Sequence, residues 1–314
     1  MHFFDSKAIM KSATLPEWVT EMETAMLRSV SGEYVMPKRM HLDYGSDTFL
    51  LMPCITDEYW STKLVSFNTG NKGSGRPSIY GTVVLTNTKT GEPLAIMDGS
   101  TITAMRTAAV SAAGIKILSP PGCHSLGVIG TGVQGILQAI FACSVREIKV
   151  IRAYDQNIDN LKRFSDELKD KYPEVRVFQA EDSSEVVINS EVIISATNSQ
   201  NPVFRNEKDL FTGRTFVGIG SYKPDFREFP EQLFRQVDQI FVDTLDGKNE
   251  SGDLITPVIN NWITEDKIHM IGHLLTGDMI PSSNKTRLFK TVGSAIFDLF
   301  AAKLIYETHL KKAH

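Results

Sequence analysis

Residues 126–135, Leu-Gly-Val-Ile-Gly-Thr-Gly-Val-Gln-Gly, restrict the fold more than any other part of this chain. A short apolar run rich in β-branched residues enters a loop with glycines at 130, 132 and 135. Helically spaced apolar residues follow at Ile136, Leu137, Ile140 and Phe141. Strand, tight turn and helix in that order open a βαβ unit of the dinucleotide-binding kind. Each glycine has a physical reason: Gly130 makes the turn, Gly132 lets backbone approach a pyrophosphate, and Gly135 lets the helix pack closely on the strand. The helix N-terminus then offers unpaired N–H groups and the positive end of its dipole to phosphate. A second β-like run, 148–154, ends at Asp155, twenty residues after Gly135. A carboxylate there accepts hydrogen bonds from an adenosine ribose. A plain strand-to-helix turn would explain the glycines but not the acid in register with them.

At 314 residues the chain has room for two domains, and 42% hydrophobic with 22% charged residues is ordinary for a folded soluble protein. The net charge of −4, with no basic stripe interleaved with aromatics, argues against a nucleic-acid partner. No apolar run approaches the roughly 18 residues that span a bilayer, and Asp5 and Lys7 interrupt any signal-peptide core. The expected location is the cytoplasm, with no membrane partner. Cys54, Cys123 and Cys143 show neither paired nor metal-ligand spacing, and the seven histidines are scattered, so no metal is expected and a reducing compartment suits the thiols.

Thr14-Leu-Pro-Glu17 reads as a capping box with proline in the first turn, opening a helix whose stripe is Trp18, Val19, Met22, Met26 and Val30. Residues 40–98 read as β-rich, with a hairpin formed by 79–86 and 93–97 around Asn87-Thr-Lys-Thr-Gly91. A small-residue helix is expected at 103–118, broken by Ser119-Pro-Pro-Gly122, the best domain boundary. Six strands are then expected, at 126–129, 148–154, 175–178, 192–195, 215–219 and 239–242, with helices between several of them, as at 160–171. That alternation indicates an α/β, Rossmann-like, doubly wound parallel sheet. The last helix, about 285–309, is expected to return to the first domain. The division is therefore 1–119 with 285–314 as a discontinuous α+β domain, and 120–284 as the dinucleotide-binding domain.

Other residues carry chemistry. Lys63 shares a strand face with Val65 and Phe67, where an ammonium needs a partner or a ligand, unless it snorkels to water from a strand end. Arg106 sits among alanines in a closely packing helix, so it needs an anion: a ligand carboxylate in bidentate contact or an internal Asp or Glu. Arg39 is a possible second carboxylate ligand or a surface arginine. Ser195-Ala-Thr-Asn198 and Gly218-Ile-Gly-Ser221 each end a strand, where a doubly wound sheet lines its crevice; this marks Ala196 and Gly220 beside the loop glycines.

Taken together, these segments resemble the ornithine cyclodeaminase/mu-crystallin family. Residues 63–71, Lys-Leu-Val-Ser-Phe-Asn-Thr-Gly-Asn, are similar to its Lys-x-Val…Pro-x-Asn segment, with Thr69 replacing the usual proline. Pro93-Leu-Ala-Ile-Met-Asp98, Thr103-Ala-Met-Arg-Thr107 and Gly130-x-Gly-x-Gln134 match it, as do residues 218–228, Lys248-Asn-Glu-Ser-Gly-Asp253 and Phe289-Lys-Thr-Val-Gly293. The match runs in order along nearly the whole chain. It implies an NAD(P)-binding Rossmann-like domain and a second domain that binds substrate and forms a homodimer. It implies that Arg39, Lys63 and Arg106 hold a substrate α-carboxylate. Glu250, inside the matching 248–253 segment, joins that set. It further implies that Thr107, Gly132, Val133, Gln134, Asp155, Thr197, Val292 and Gly293 contact the cofactor, alongside Gly130, Ala196 and Gly220.

Two departures select a branch. Leu50 stands where ornithine cyclodeaminases carry a glutamate two residues before Met52-Pro53, and Tyr222 stands where they carry an aspartate. Without those carboxylates the δ-ammonium of ornithine has no evident counter-ion and deamination no general base. The segment from Tyr222 to Glu228 is similar to the ketimine reductase branch instead. The implied activity is reduction of cyclic imines such as Δ1-pyrroline-2-carboxylate or Δ1-piperideine-2-carboxylate. Lys63 and Arg106 act on the substrate, Lys63 or a water it holds protonates the nitrogen, and Tyr222 shapes the ring pocket. Asp155, with no cation at Gln156 or Asn157, favours NAD(H), with NADP(H) as the lesser option. The alternatives are a cyclodeaminase or amino-acid dehydrogenase of the family, and a crystallin-like ligand-binding protein without turnover.

Overall fold

The capping box forms as the sequence spells it. In the computed structural model Thr14 caps the Leu15–Ser31 helix, its side chain accepting from the Glu17 amide while Glu17 reaches back to the Thr14 N–H at 2.7 Å. The structure describes residues 1–71, 73–281 and 286–313. Two compact units result: Met1–Thr107 with Ser294–His314, and Ala108–Gly293. The chain crosses between them within the Gly99–Leu118 helix and again at 293/294. The 284/285 boundary and helix start expected from the sequence lie outside the described residues.

The first unit is built on a six-stranded sheet: β1 (His2–Phe4), β2 (Met40–Tyr44), β3 (Asp47–Ile55), β4 (Tyr59–Phe67), β5 (Ile79–Asn87) and β6 (Pro93–Asp98), in spatial order β1-β6-β5-β4-β3-β2. β5 and β6 make the expected hairpin, and β1, which sequence reading passed over, pairs parallel to β6. Side chains alternate between faces and paired residues share one. Met52, Cys54, Ser61, Lys63, Val83, Leu85, Ala95 and Met97 therefore point inward, and all are buried. The Ala295–Ala313 helix packs on β3, β4 and β5, and the Leu15–Ser31 helix packs on it in turn. The other sheet face carries Phe3, Met40, Leu42, Phe49, Trp60 and Leu64, all exposed.

Among the described residues the second unit holds eight strands, all parallel: β7 (Ser125–Ile129), β8 (Val150–Tyr154), β9 (Arg176–Gln179), β10 (Val192–Ser195), β11 (Thr215–Gly218), β12 (Ile240–Val242), β13 (Ile268–Met270) and β14 (Arg287–Lys290). Their order is β13-β12-β14-β11-β10-β7-β8-β9. The chain runs outward from β7 to β9, then returns to lay β10 on the other side of β7. This reversal makes the crevice beside β7 the switch point where such sheets bind ligands.

Two strands correct the sequence reading. Arg287–Lys290, expected inside the last helix, is β14, inserted between β11 and β12, and the helix starts only at Ala295. β13 was not anticipated at all. Runs of three or four apolar residues carry no usable period, and only the neighbouring strands decide their state.

Replacing Thr14 with alanine removes the cap but no buried contact. It is expected to cost about 1 kcal/mol, read from the urea midpoint with unchanged slope.

Candidate active site

The carboxyl ends of five strands stand in one row. Register pairs Tyr154 with Ile129, Ile129 with Ser195, Ser195 with Gly218, and Gly218 with Lys290. The residues that follow each strand end therefore line one edge: Gly130 to Gln134, Asp155, Ala196 and Thr197, Gly220, and Val292 with Gly293. These are the cofactor candidates of the second unit, and the fold gathers them along that edge. Thr107 belongs to the first unit, half-buried on the helix that carries Arg106.

The glycine loop has the geometry its sequence requires. Gly130 has φ +87°, and a Cβ there would press on the Ala196 carbonyl oxygen. A Cβ on Gly135 would collide with the Gly130 carbonyl, so the helix sits against the loop backbone. Gly132 is the N-cap of the Val133–Val145 helix and gives no side-chain cap, while the space a Cβ would fill there is open. Uncapped N–H groups facing open space at a helix N-terminus suit a phosphate. Val133 is exposed, and Gln134 accepts from Gln138 at 3.3 Å.

Buried or half-buried carboxylates hold these loops from below. Asp155 accepts from the Thr131 amide at 2.7 Å and hydroxyl at 3.0 Å, and from the Asn157 amide at 2.8 Å. Asn160 Nδ2 reaches Oδ2, the oxygen that Thr131 holds, at 3.5 Å, while Oδ1 takes the Asn157 amide, so Oδ1 is the oxygen with room for a further donor. Glu228, fully buried, accepts from Ser195 Oγ at 2.6 Å, Thr197 N at 2.8 Å, Thr197 Oγ1 at 2.7 Å and Gly220 N at 2.8 Å. It therefore ties the β10 loop to the β11 loop. Asp243 accepts from Thr291 Oγ1 and from Gly293 N at 2.9 Å. Asp253 accepts from the Glu228 and Phe229 amides at 2.8 and 3.0 Å and faces Lys290 at 3.5 Å. Burial raises the Asp253 carboxyl to about 6, against the pull of Lys290.

Tyr222 follows the β11 loop, half exposed, with its ring 6.0 Å from that of Phe226 and the Lys223 ammonium above it. Glu250 ends the short 3₁₀ turn Leu245–Asn249 and is half-buried.

The first unit contributes a charged cluster. Lys63 is 3% exposed and Arg106 5%, so neither snorkels to water. Both meet Asp298, in the first turn of the Ala295–Ala313 helix: Lys63 Nζ lies 2.6 Å from Oδ2, and Arg106 Nε donates to Oδ1 at 2.9 Å. The internal partner that Arg106 needed is thus Asp298. Lys63 also donates to Thr103 Oγ1 at 3.3 Å. Burial lowers the Lys63 pKa to about 8, a shift that Asp298 opposes and Arg106 and Arg39 add to. Burial alone would raise the Asp298 carboxyl, but the two adjacent cations hold it below the ordinary carboxylate range. Arg39, half-buried ahead of β2, lies near enough to act on Lys63. Leu50 stands on the Lys63 face of the sheet, since Leu50 pairs with Val65 and Met52 with Lys63.

Sequence reading missed Asp298, Glu228, Asp243 and Asp253 as organising groups. Asp298 had a signal: it is the lone charge in Ala295-Ile-Phe-Asp-Leu-Phe-Ala-Ala302. Among the described residues no group of His, Cys, Asp and Glu side chains is arranged to hold a metal ion, and no helix is long and apolar enough to cross a membrane.

A parallel sheet with a glycine loop at its switch point is the layout of a dinucleotide-fold protein. The chain belongs to the ornithine cyclodeaminase/mu-crystallin family, whose profile matches residues 2–313. It is 30% identical over 305 residues to the Δ1-pyrroline-2-carboxylate reductase of Bacillus cereus, covering 94% of this chain and 92% of that one. It is 33% identical over 249 residues to the ketimine reductase mu-crystallin of Mus musculus, covering 79% and 75%. Its fold superposes on Thermococcus litoralis Δ1-pyrroline-2-carboxylate reductase in complex with NADH and L-proline with a TM-score of 0.92, at 31% identity and 100% and 98% coverage.

Glu228→Ala strands four donors at once. Unfolding by urea is expected to show a loss of at least about 3 kcal/mol. Glu228→Gln, which keeps an acceptor for Ser195 and Thr197, is expected to lose distinctly less.

Proposed function

We propose that this protein reduces cyclic ketimines bearing a carboxylate on the imine carbon, such as Δ1-pyrroline-2-carboxylate or Δ1-piperideine-2-carboxylate, to the cyclic amino acids, with NADH preferred over NADPH. The observation that carries the reading is the buried cluster of two cations and one anion at Lys63, Arg106 and Asp298. A buried net charge of +1 is costly unless an anion neutralises it, and a monocarboxylate does so. Arg106 is engaged by Asp298 through Nε, so its terminal amino groups remain for a two-point grip on that carboxylate. Arg39 adds a second arginine, and Glu250 lies in the family segment that joins the substrate set.

The dinucleotide site fits its ligand through the open Gly132 cradle and the uncapped helix start. A bound nicotinamide dinucleotide supplies the hydride that the imine carbon receives. The protein's own part is orientation and charge. Lys63 has three N–H donors, two of them directed at Asp298 and Thr103. The third can protonate the imine nitrogen or hold a water that does; that proton and the hydride give the neutral ring amine, and solvent supplies any further proton and restores the Lys63 ammonium. Tyr222 borders the ring. Asp155 repels a 2′-phosphate and accepts from a ribose diol, which sets the NADH preference. Leu50 on the Lys63 face, and Tyr222 at the β11 loop, offer no carboxylate to a second amine, which disfavours ornithine as substrate.

The outward sheet face of the first unit is the proposed homodimer surface. Phe3, Met40, Leu42, Trp60 and Leu64 form an apolar sheet face of the kind that marks an interaction site, and a second copy of this chain, as the family resemblance implies, is its proposed occupant. The proposed location is the cytoplasm, where the three unpaired thiols, Cys54, Cys123 and Cys143, suit a reducing medium.

A panel of small imino acids, followed by NADH oxidation, tests the activity. Both cyclic ketimines are expected to turn over, with kcat/KM for NADH at least about tenfold that for NADPH. Arg106→Met is expected to lower kcat/KM for the imine about a hundredfold. Oxidation of NADH with neither imine, or release of ammonia from ornithine, contradicts the reading. For the dimer, light scattering is expected to give twice the 34.9 kDa chain mass. Leu64→Asp with Trp60→Asp should bring it to one chain mass, and a monomeric parent protein sinks the surface assignment.

A further inference from the structure

The Lys63–Arg106 pair has one feature that its role in gripping a carboxylate does not require: a buried aspartate placed between the two cations. Asp298 is 1% exposed and gives one oxygen to each cation. We propose that Asp298 is the positioning residue of this site: it keeps Lys63 an ammonium and turns Arg106 by its Nε edge, so that the pair presents a single net positive charge to one substrate carboxylate. The inference rests on the reading of the cluster as a carboxylate receiver.

An ammonium and a guanidinium buried side by side repel each other, and each has lost its water. The groups that act on Lys63 come from several elements. Asp298 comes from the last helix, Arg106 and Thr103 from the Gly99–Leu118 helix, Arg39 from ahead of β2, and Cys54 from the neighbouring β3. Burial pushes the Cys54 thiol up to about 12, so it stays neutral. Asp298 is thus the anion of the set. Its removal leaves Lys63 facing cations and a hydroxyl, and the lysine then sheds its proton.

Its position matters as much as its charge. Oδ1 takes Nε of Arg106 while Oδ2 takes Nζ of Lys63, so one carboxylate plane sets the spacing of both head groups. The donors left over, one on Lys63 and the terminal pair on Arg106, are those that a ligand carboxylate and the adjoining imine nitrogen require. A structural ion pair alone would also be stabilising. It would not couple carboxylate binding to the protonation of Lys63.

That coupling is the test. Asp298→Asn keeps the size and removes the charge. Calorimetric titration with pyrrole-2-carboxylate, a flat carboxylate that is not reduced, would be run from about pH 6 to pH 9.5 in two buffers of different ionisation enthalpy. The pH profile of kcat/KM for Δ1-pyrroline-2-carboxylate and the Kd for NADH would be taken beside it. The wild type is expected to bind the carboxylate with an alkaline limb near the Lys63 pKa of about 8. In Asp298→Asn the limb should move at least about one unit lower. Affinity at pH 8 should fall about tenfold or more, binding at neutral pH should take up a proton, and the NADH Kd should stay within about twofold. Asp298→Glu keeps the charge at a displaced position and should keep the wild-type limb with weaker affinity, which serves where the asparagine variant does not fold.

An unmoved limb in Asp298→Asn, an equal loss at every pH, or failure of both variants to fold makes Asp298 a structural residue and overturns the proposal. If the wild type binds pyrrole-2-carboxylate with the shifted limb in the variant but reduces no cyclic imine, the proposed function fails and the role of Asp298 stands. If it reduces imines and the variant's limb does not move, the reverse holds.

Discussion

In the first unit two buried cations, Lys63 and Arg106, share one carboxylate, that of Asp298. Asp298 would be a costly residue to bury alone, as would Lys63 or Arg106. Together they leave one unit of positive charge in a place that water barely reaches. The sheet makes this possible by bringing β4 under the last helix, so that an inward lysine meets a helix-borne aspartate 235 positions later in the chain. The aspartate lies in the first turn of that helix, where the helix dipole also favours a negative charge. In the proposed function a ligand carboxylate completes the balance, and Leu50, on the same sheet face, adds no charge.

The second unit uses carboxylates differently. Asp155, Glu228, Asp243 and Asp253 face backbone amides and hydroxyls at the strand ends. Loops at such an edge carry N–H groups with no ladder partner, and each buried one must be paired. A single acid that accepts several of them stiffens a loop without filling the space above it. Glu228 binds two loops at once, which explains why Gly220 tolerates no side chain: its Cβ would enter the Thr197 carbonyl and the Glu228 carboxylate.

The parts of this account visible in the sequence were local. The glycine loop, the capping box and the hairpin at Asn87–Gly91 depend on residues within a few positions of one another, and each formed as read. The family segments resembled known ones closely enough to point to the same relatives that comparison then found. What stayed hidden depends on distant pairing. β13 and β14 are too short to show a period, and only their neighbours make them strands. The need of Arg106 for an anion was legible, but the identity of that anion was not, because Asp298 lies 192 residues away. Lys63 could equally have snorkelled until the strand's partners were known. Asp155 was read for its ligand alone, and its hold on Thr131 emerged only from the folded loop.

Hydride transfer from NADH to the C=N carbon of a cyclic ketimine carboxylate is the step on which the proposed function rests. Isotope tracing addresses it directly. NADH carrying deuterium at C4 of the nicotinamide, on the face that is transferred, would be incubated with Δ1-pyrroline-2-carboxylate and the product analysed by mass spectrometry and proton NMR. Proline with one deuterium at Cα is the expected product. Proline without deuterium, or oxidised dinucleotide with no proline formed, would contradict it.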